Sequence, residues 1–344
     1  MRAARLERLP SESMAVGEVP APVPGPGELL MGVHCSGICG TDLEILAGRS
    51  YAPALPFILG HEPVGEIVAA GPGADAGMVG RRVAVSIFRG RDETCGTCAD
   101  HPDWRTPCRT GDERLCIGGA RINGVLEEEG AFAEFMTLAE RQAVPVPDVL
   151  SSEEAASLVD AGATAANAVR NSPTGDPRPA VVVGGGPLGF FAAQLLVARG
   201  ETVVACEPNE GRRRAISGLG IEAAAGLEDL DLIAGTVVDC SGAPTTLPLG
   251  LELLGPRGTF VVAGYSPVEA DMAPVARKEL SIRGVRSGRK EDLEEVIRRL
   301  GLGEIAAPEI TSWPLEEIDL AFDALRRGNV AGKAVIDVRE RKSQ

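Results

Sequence analysis

Residues 180–198 read AVVVGGGPLGFFAAQLLVA. This is an uncharged run of 19 residues, long enough to raise the question of a membrane span. Gly184, Gly185, Gly186 and Pro187 sit a few residues inside it and decide against one, because that cluster fits a Val-rich strand, a tight turn and an apolar helix. Gly184, Gly186 and Gly189 satisfy G-x-G-x-x-G in that context. The first glycine permits the turn, the second lets a pyrophosphate approach the backbone, and the third lets helix and strand pack closely. Gly184, Gly186, Pro187, Leu188 and Gly189 are therefore the candidate dinucleotide contacts, with phosphate at the helix N-terminus. Glu207, 18 residues after Gly189, is the acid expected at the end of the next strand. A carboxylate there accepts both ribose hydroxyls of NAD and repels a 2′-phosphate. Arg212, Arg213 and Arg214 are the opposing signal, since they could hold the extra phosphate of NADP. NAD is favoured.

Outward from this turn, strand and helix patterns alternate from Pro179 to about Arg286. Strands are expected at 180–183, 202–207, 236–239, 258–263 and 280–284, and helices at 188–199, 211–219, 245–254 and 291–300. That alternation predicts a parallel sheet covered on both faces, a doubly wound α/β domain. Just before it, Ser151-Ser152-Glu153-Glu154 opens a helix expected to run to about Arg170. Residues 1–150 have a different texture, with short alternating runs such as 28–33, 64–70 and 82–87 broken by Gly and Pro, which predicts a β-rich domain. The tail from Ala331 to Val338 reads as a last strand that returns to it.

Composition agrees with such a protein. The chain has 344 residues, 44% hydrophobic and 24% charged, which suits two folded domains rather than a disordered chain. The formal net charge of −15 argues against nucleic acid as a partner. Residues 1–13 carry charges and no apolar core, so they do not read as a signal peptide, and a cytoplasmic location without membrane association is expected.

Two constellations suggest metal. Cys95, Cys98, Cys108 and Cys116 lie within 22 residues, and four thiolates can close a tetrahedral structural zinc site. His101, between them, could replace one thiolate. The second set is dispersed: Cys39 in Cys39-Gly40-Thr41-Asp42, and His61 with Glu62 after Gly60. Thiolate, imidazole and carboxylate together suit a zinc with an exchangeable position.

In this ordered combination the chain resembles the zinc-dependent medium-chain alcohol and polyol dehydrogenases, particularly the sorbitol, threonine and glucose dehydrogenase branches. The likeness is carried by Cys39-Gly40-Thr41-Asp42, Gly60-His61-Glu62 with Gly65, the four-cysteine lobe, Gly130-Ala131-Phe132-Ala133-Glu134-Phe135, the Gly184–Gly189 turn and the closing Gly332-Lys333. It implies a GroES-like β-barrel catalytic domain built from residues 1–150 and 287–344, with a zinc lobe at about 91–118. A Rossmann domain at 151–286 would be inserted between them. It implies one structural and one catalytic Zn2+, the latter held by Cys39, His61 and a third ligand at Asp160, directly or through a water. Glu62 would bind the metal directly or in an alternate state. The implied reaction exchanges a hydride between nicotinamide and a small-molecule alcohol or ketone. Zinc would lower the pKa of the hydroxyl, and the proton would leave through Thr41 and Glu44. Glu44 stands where many members have a histidine, and Arg212 where NAD-linked members carry a Lys or Arg. Polar residues suit a polyol, sugar or aminocyclitol, and a homodimer or homotetramer is implied. The lobe departs from the family by about seven extra residues, 99–105. A redox epimerase that retains its cofactor, and a non-catalytic nucleotide-binding protein, are the alternative readings of the same scaffold.

Overall fold

A computed structural model describes residues 1–89, 112–116, 119 and 121–339. Cys95, Cys98 and Cys108 lie outside the described residues. The chain divides into two units, Met1–Asp160 with Ile310–Gln344, and Ala161–Glu309.

The first unit is built on the strand Glu28–Ile38, in which Leu29, Met31, Val33 and Cys35 are buried at period two. The alternating pattern ends at Val33 in the sequence, yet the strand runs on to Ile38 because it is covered on both faces there. It pairs antiparallel with Glu62–Ala70 and with Lys333–Asp337. The full sheet has seven strands, running Ala143–Pro145, Arg82–Val85, Glu62–Ala70, Glu28–Ile38, Lys333–Asp337 and Ile310–Pro314, with Phe135–Ala139 also paired to Glu28–Ile38. A Cβ at Gly65 would stand 2.2 Å from the Gly32 carbonyl oxygen, so only glycine allows these two strands their close approach. Phe132 and Phe322 pack edge to face beneath, 6.0 Å apart.

The second unit carries a six-stranded, wholly parallel sheet. Its spatial order is Glu222–Ala224, Val203–Cys206, Ala180–Val183, Ala234–Asp239, Leu254–Val262, Ser281–Gly284. In chain order this is 3-2-1-4-5-6, the doubly wound arrangement whose direction reverses beside the first strand. Ala180–Val183, Val203–Cys206 and Ala234–Asp239 are buried throughout, as strands with helices on both faces must be. Phe260, fully buried, fills the core with Val181, Val237, Leu251 and Leu254.

The helix expected from Ser151 to Arg170 is interrupted. Ser151 caps Ser152–Ser157 through a reciprocal pair with Glu154, at 3.1 and 2.8 Å. Leu158–Gly162 then forms a π-helical turn before Ala163–Asn171 resumes the α-helix. Such single-turn widenings accompany functional positions, and this one carries Asp160. Within the second unit, Lys290–Gly301 packs on Ala163–Asn171 through Arg170 and Asp292 at 2.9 Å, and Asn167 donates to the Ser287 carbonyl at 2.6 Å. That packing keeps residues up to Glu309 with this unit. No helix among the described residues is long and apolar enough to cross a membrane. The apolar run at 180–198 is a four-residue strand followed by a twelve-residue helix, Pro187–Ala198.

Emptying the Phe260 site should cost about 3–5 kcal/mol through lost transfer energy and the cavity left behind. Urea unfolding of Phe260→Ala is expected to show that loss, whereas Tyr265→Ala, at an 80% exposed position, should stay within about 0.5 kcal/mol of the parent.

Candidate metal centre and dinucleotide turn

Cys39 follows directly on the strand Glu28–Ile38 and caps the helix Gly40–Leu46. Its backbone is extended, and its sulfur accepts the Thr41 N–H at 3.2 Å. Asp42 returns the favour by accepting the Cys39 N–H at 3.0 Å. This capping box fixes where the sulfur points. His61 enters from the start of the neighbouring strand, after Gly60 at φ +99°, where a Cβ would meet Phe132 at 2.8 Å. His61 Nε2 lies 3.0 Å from Cys39 Sγ and 3.9 Å from Asp160 Oδ2. Its other nitrogen, Nδ1, stands 3.2 Å from Asp42 Oδ1, a close charge contact that completes a hydrogen bond at neither atom.

One ligand atom from each of Cys39, His61, Glu62 and Asp160 lies within 4.8 Å of the other three. A sulfur, a ring nitrogen and two carboxylates at such separations fit a divalent transition ion. Burial pushes the Cys39 thiol up against the pull of His61, so a bound cation is what would favour its thiolate. Burial lowers the His61 ring, but Cys39 and Asp42 outweigh it and raise the ring well above its ordinary value.

Glu62 is fully buried and engaged. Lys333 Nζ donates to Glu62 Oε1 at 2.6 Å and also contacts Oε2, with the lysine only 2% exposed. Burial presses the Lys333 ammonium down, yet Glu62 and the Cys39 sulfur raise it overall. Thr41 is half-buried on the first helical turn beside Cys39. Glu44 lies outside the four-residue group, and its carboxylate clamps Arg49 at 2.7 and 3.0 Å on an exposed helix flank. Of the expected structural zinc set, only Cys116 is among the described residues, buried after the short turn Glu113–Leu115.

In the second unit Gly184 has φ +96°, which a side chain would strain. A Cβ at Gly189 would lie 1.7 Å from the Gly184 carbonyl oxygen, whereas one at Gly186 meets nothing within 4 Å. The turn is thus tight at its first and third glycines and open at its second. Pro187 occupies the first helical position and Leu188 follows it. Glu207, 4% exposed, receives the Gly185 N–H at 2.5 Å and the Asn209 N–H at 2.7 Å. Asn209 in turn caps the helix Glu210–Ser217 by accepting the Arg212 N–H at 3.1 Å. Arg213 is turned back onto the Glu207 and Pro208 carbonyls, and Arg214 pairs with Glu210.

Two participants were not legible as such. Asp42 reads in sequence as a helix cap alone, and its second oxygen also faces His61. Lys333 reads as part of a closing motif, and its burial against Glu62 depends on strand pairing that spacing does not reveal. Its one sequence signal is a lysine opening a strand, Lys333–Asp337, whose next three residues are apolar.

Known proteins match both parts of the chain. A family model described as the alcohol dehydrogenase GroES-like domain matches residues 25–148, and one described as zinc-binding dehydrogenase matches 187–301. An alcohol dehydrogenase of Moraxella sp. is 30% identical over 98% of this chain and 99% of its own length. A sorbitol dehydrogenase of Halalkalibacterium halodurans is 27% identical over 91% of this chain and 93% of its own. Among solved structures, the acetophenone reductase of Geotrichum candidum in complex with NAD superposes with a TM-score of 0.87 at 25% identity, covering 98% of this chain and 97% of that one. The GroES-like unit, the doubly wound unit and these matches together place the chain in the zinc-dependent medium-chain alcohol dehydrogenase family.

Proposed function

We propose that the protein is an NAD-linked, zinc-dependent dehydrogenase acting on a secondary alcohol of a polyol, sugar or aminocyclitol. The observation that carries this reading is the convergence of Cys39, His61, Glu62 and Asp160 donor atoms within 4.8 Å. Cys39, His61 and Asp160 would hold the ion. Bound there, it would act as a Lewis acid that lowers the pKa of the substrate hydroxyl. Asp42 steadies the His61 ring from behind, as carboxylates behind metal-binding imidazoles do. The Thr41 hydroxyl, two residues on from Cys39, would relay the departing proton, accepting it while giving its own to the nicotinamide ribose or to solvent. Glu44 serves beyond Thr41 only if it leaves Arg49. Gly184, Gly186, Pro187, Leu188 and Gly189 of the second unit would hold the dinucleotide, which would supply the hydride acceptor. Glu207 favours NAD because a buried carboxylate anchored to the turn opposes a 2′-phosphate. Arg213 and Arg214 are committed elsewhere. A carboxylate as third ligand and the likeness to a sorbitol dehydrogenase support a polyhydroxylated substrate. Cys95, Cys98, Cys108 and Cys116 would hold a second, structural zinc, and a homodimer or homotetramer is the expected assembly.

Metal analysis with a panel of polyols, aldoses, aminocyclitols and simple alcohols, followed by reduced-nicotinamide absorbance, tests the whole reading. Net reduction of NAD on the polyhydroxylated members is the expected result, and a tightly held cofactor with no net reduction would instead favour epimerisation. Chelation of the ion, or Cys39→Ser, should lower turnover about 10³-fold, since a Lewis acid supplies several kcal/mol and each ~1.4 kcal/mol is a factor of ten. NAD binding, read by fluorescence titration, should survive both treatments.

Asp42→Asn should weaken metal affinity or activity about 10- to 100-fold, in line with the loss of other ligand-orienting carboxylates. Competition with a chromogenic chelator measures it. Glu207→Gln can keep the oxygen that receives the Gly185 N–H, and removes the charge together with the acceptor for the Asn209 N–H. The ratio of kcat/KM for NAD over NADP should fall by about tenfold, or ~1.4 kcal/mol, and an unchanged ratio would remove Glu207 from cofactor selection.

A further inference from the structure

The mechanism leaves one buried charged pair unused. Glu62 and Lys333 lie 0% and 2% exposed, in direct contact, beside the donor group that the proposed function assigns to a metal. Their meeting is built by strand register. Gly37 in the central strand stands opposite Glu62 on one side and opposite Val335 on the other, two residues from Lys333. A Cβ at Gly37 would fall 1.9 Å from Glu62 Oε2 and 2.7 Å from Lys333 Cε. The space that glycine leaves is the space in which the two side chains join.

The charges explain what the contact can do. A divalent ion held by the Cys39 thiolate, neutral His61 and the Asp160 carboxylate is a centre of net charge zero. Glu62 with Lys333 is a second neutral set. If Glu62 joined the metal instead, the centre would become an anion with four protein ligands, a closed and weaker Lewis acid. Glu62 offers an oxygen within 4.8 Å of the other three donors, so reach does not prevent this. What opposes it is the ammonium, which would be left buried without its partner.

Resting on the dehydrogenase reading above, we propose that Lys333 is a positioning residue that holds Glu62 off the metal, fixing the protein ligands as Cys39, His61 and Asp160 and keeping one position open for substrate. Lys333 touches neither substrate nor cofactor in this role. It sets the ligand count through Glu62.

The test uses full-length protein loaded with Co2+, whose visible d–d spectrum reports coordination, with azide as a small exogenous ligand. Wild type should shift its spectrum on adding azide, and Glu62→Gln should leave the resting spectrum as it is. Lys333→Met frees Glu62, so its resting spectrum should change, its azide response should be lost, and Co2+ release to a chelator should slow by about tenfold or more. Lys333→Arg should behave as wild type. The double variant Lys333→Met with Glu62→Gln, which removes both charges of the pair, should recover the azide response. If Lys333→Met does not fold, Lys333→Gln takes its place with the same expectations, and in either case a resting spectrum altered by Glu62→Gln would mean that Glu62 is a ligand already and overturn the inference. Metal bound normally in every variant with the azide response unchanged overturns the role of Lys333 alone. A wild type that binds no divalent ion overturns the reading of the site, and this inference with it.

Discussion

The register of three strands around Gly37 is the constraint on which the first unit's chemistry depends. Glu28–Ile38 is held between Glu62–Ala70 and Lys333–Asp337, and it delivers Cys39 at its end. A one-residue slip on either side would turn every side chain of that strand to the opposite face. Glu62 would leave Lys333, and His61 would leave Cys39. Buried backbone ladders on both flanks and close glycine approaches at Gly37 and Gly65 make such a slip costly. The site is therefore specified by backbone pairing before any ion contributes, and the metal would add to a geometry the strands already impose.

Local capping refines what the register delivers. Cys39 is both the last residue before the helix and the acceptor of the Thr41 N–H. Free N–H groups at a helix start favour negative charge, so the same turn that aims the sulfur would also ease its ionisation beside a bound cation. Asp42 divides its two oxygens between the Cys39 backbone and the His61 ring. One side chain thereby couples the orientation of two candidate ligands that are 22 residues apart in sequence.

The parts of this structure written in short-range pattern were legible. The glycine turn, its flanking strand and helix, and the Val-rich parallel strands follow from local spacing, because fully buried strands leave a continuous apolar signature. Cys39, His61 and Glu62 were candidates by residue type, and the fold brings their donor atoms together with that of Asp160. What stayed hidden required long-range pairing. Lys333 joins Glu62 across 271 positions, and no local period encodes that distance. The π-helical turn at Leu158–Gly162 was hidden for another reason. The Ala-rich sequence favours an uninterrupted helix, and only tertiary packing on either side of Asp160 resolves where the extra residue goes. The extent of the second unit has the same origin, because Arg170 and Asp292 meet only after the fold is formed.

Glu207 shows how one buried carboxylate can serve structure and, in the role proposed for it, selection at once. Its two oxygens take N–H groups from Gly185 and Asn209, so it ties the glycine turn to the cap of the next helix. Those bonds oppose its reorientation away from the turn. A rigid anion discriminates better than a mobile one, because it cannot swing aside to admit a second negative charge. The glycine beside it completes the device: a Cβ at Gly185 would lie 2.8 Å from the Glu207 side chain, so any larger residue there would push the carboxylate out of place. The first variable position of the fingerprint is thus constrained in this chain by the acid that stands behind it.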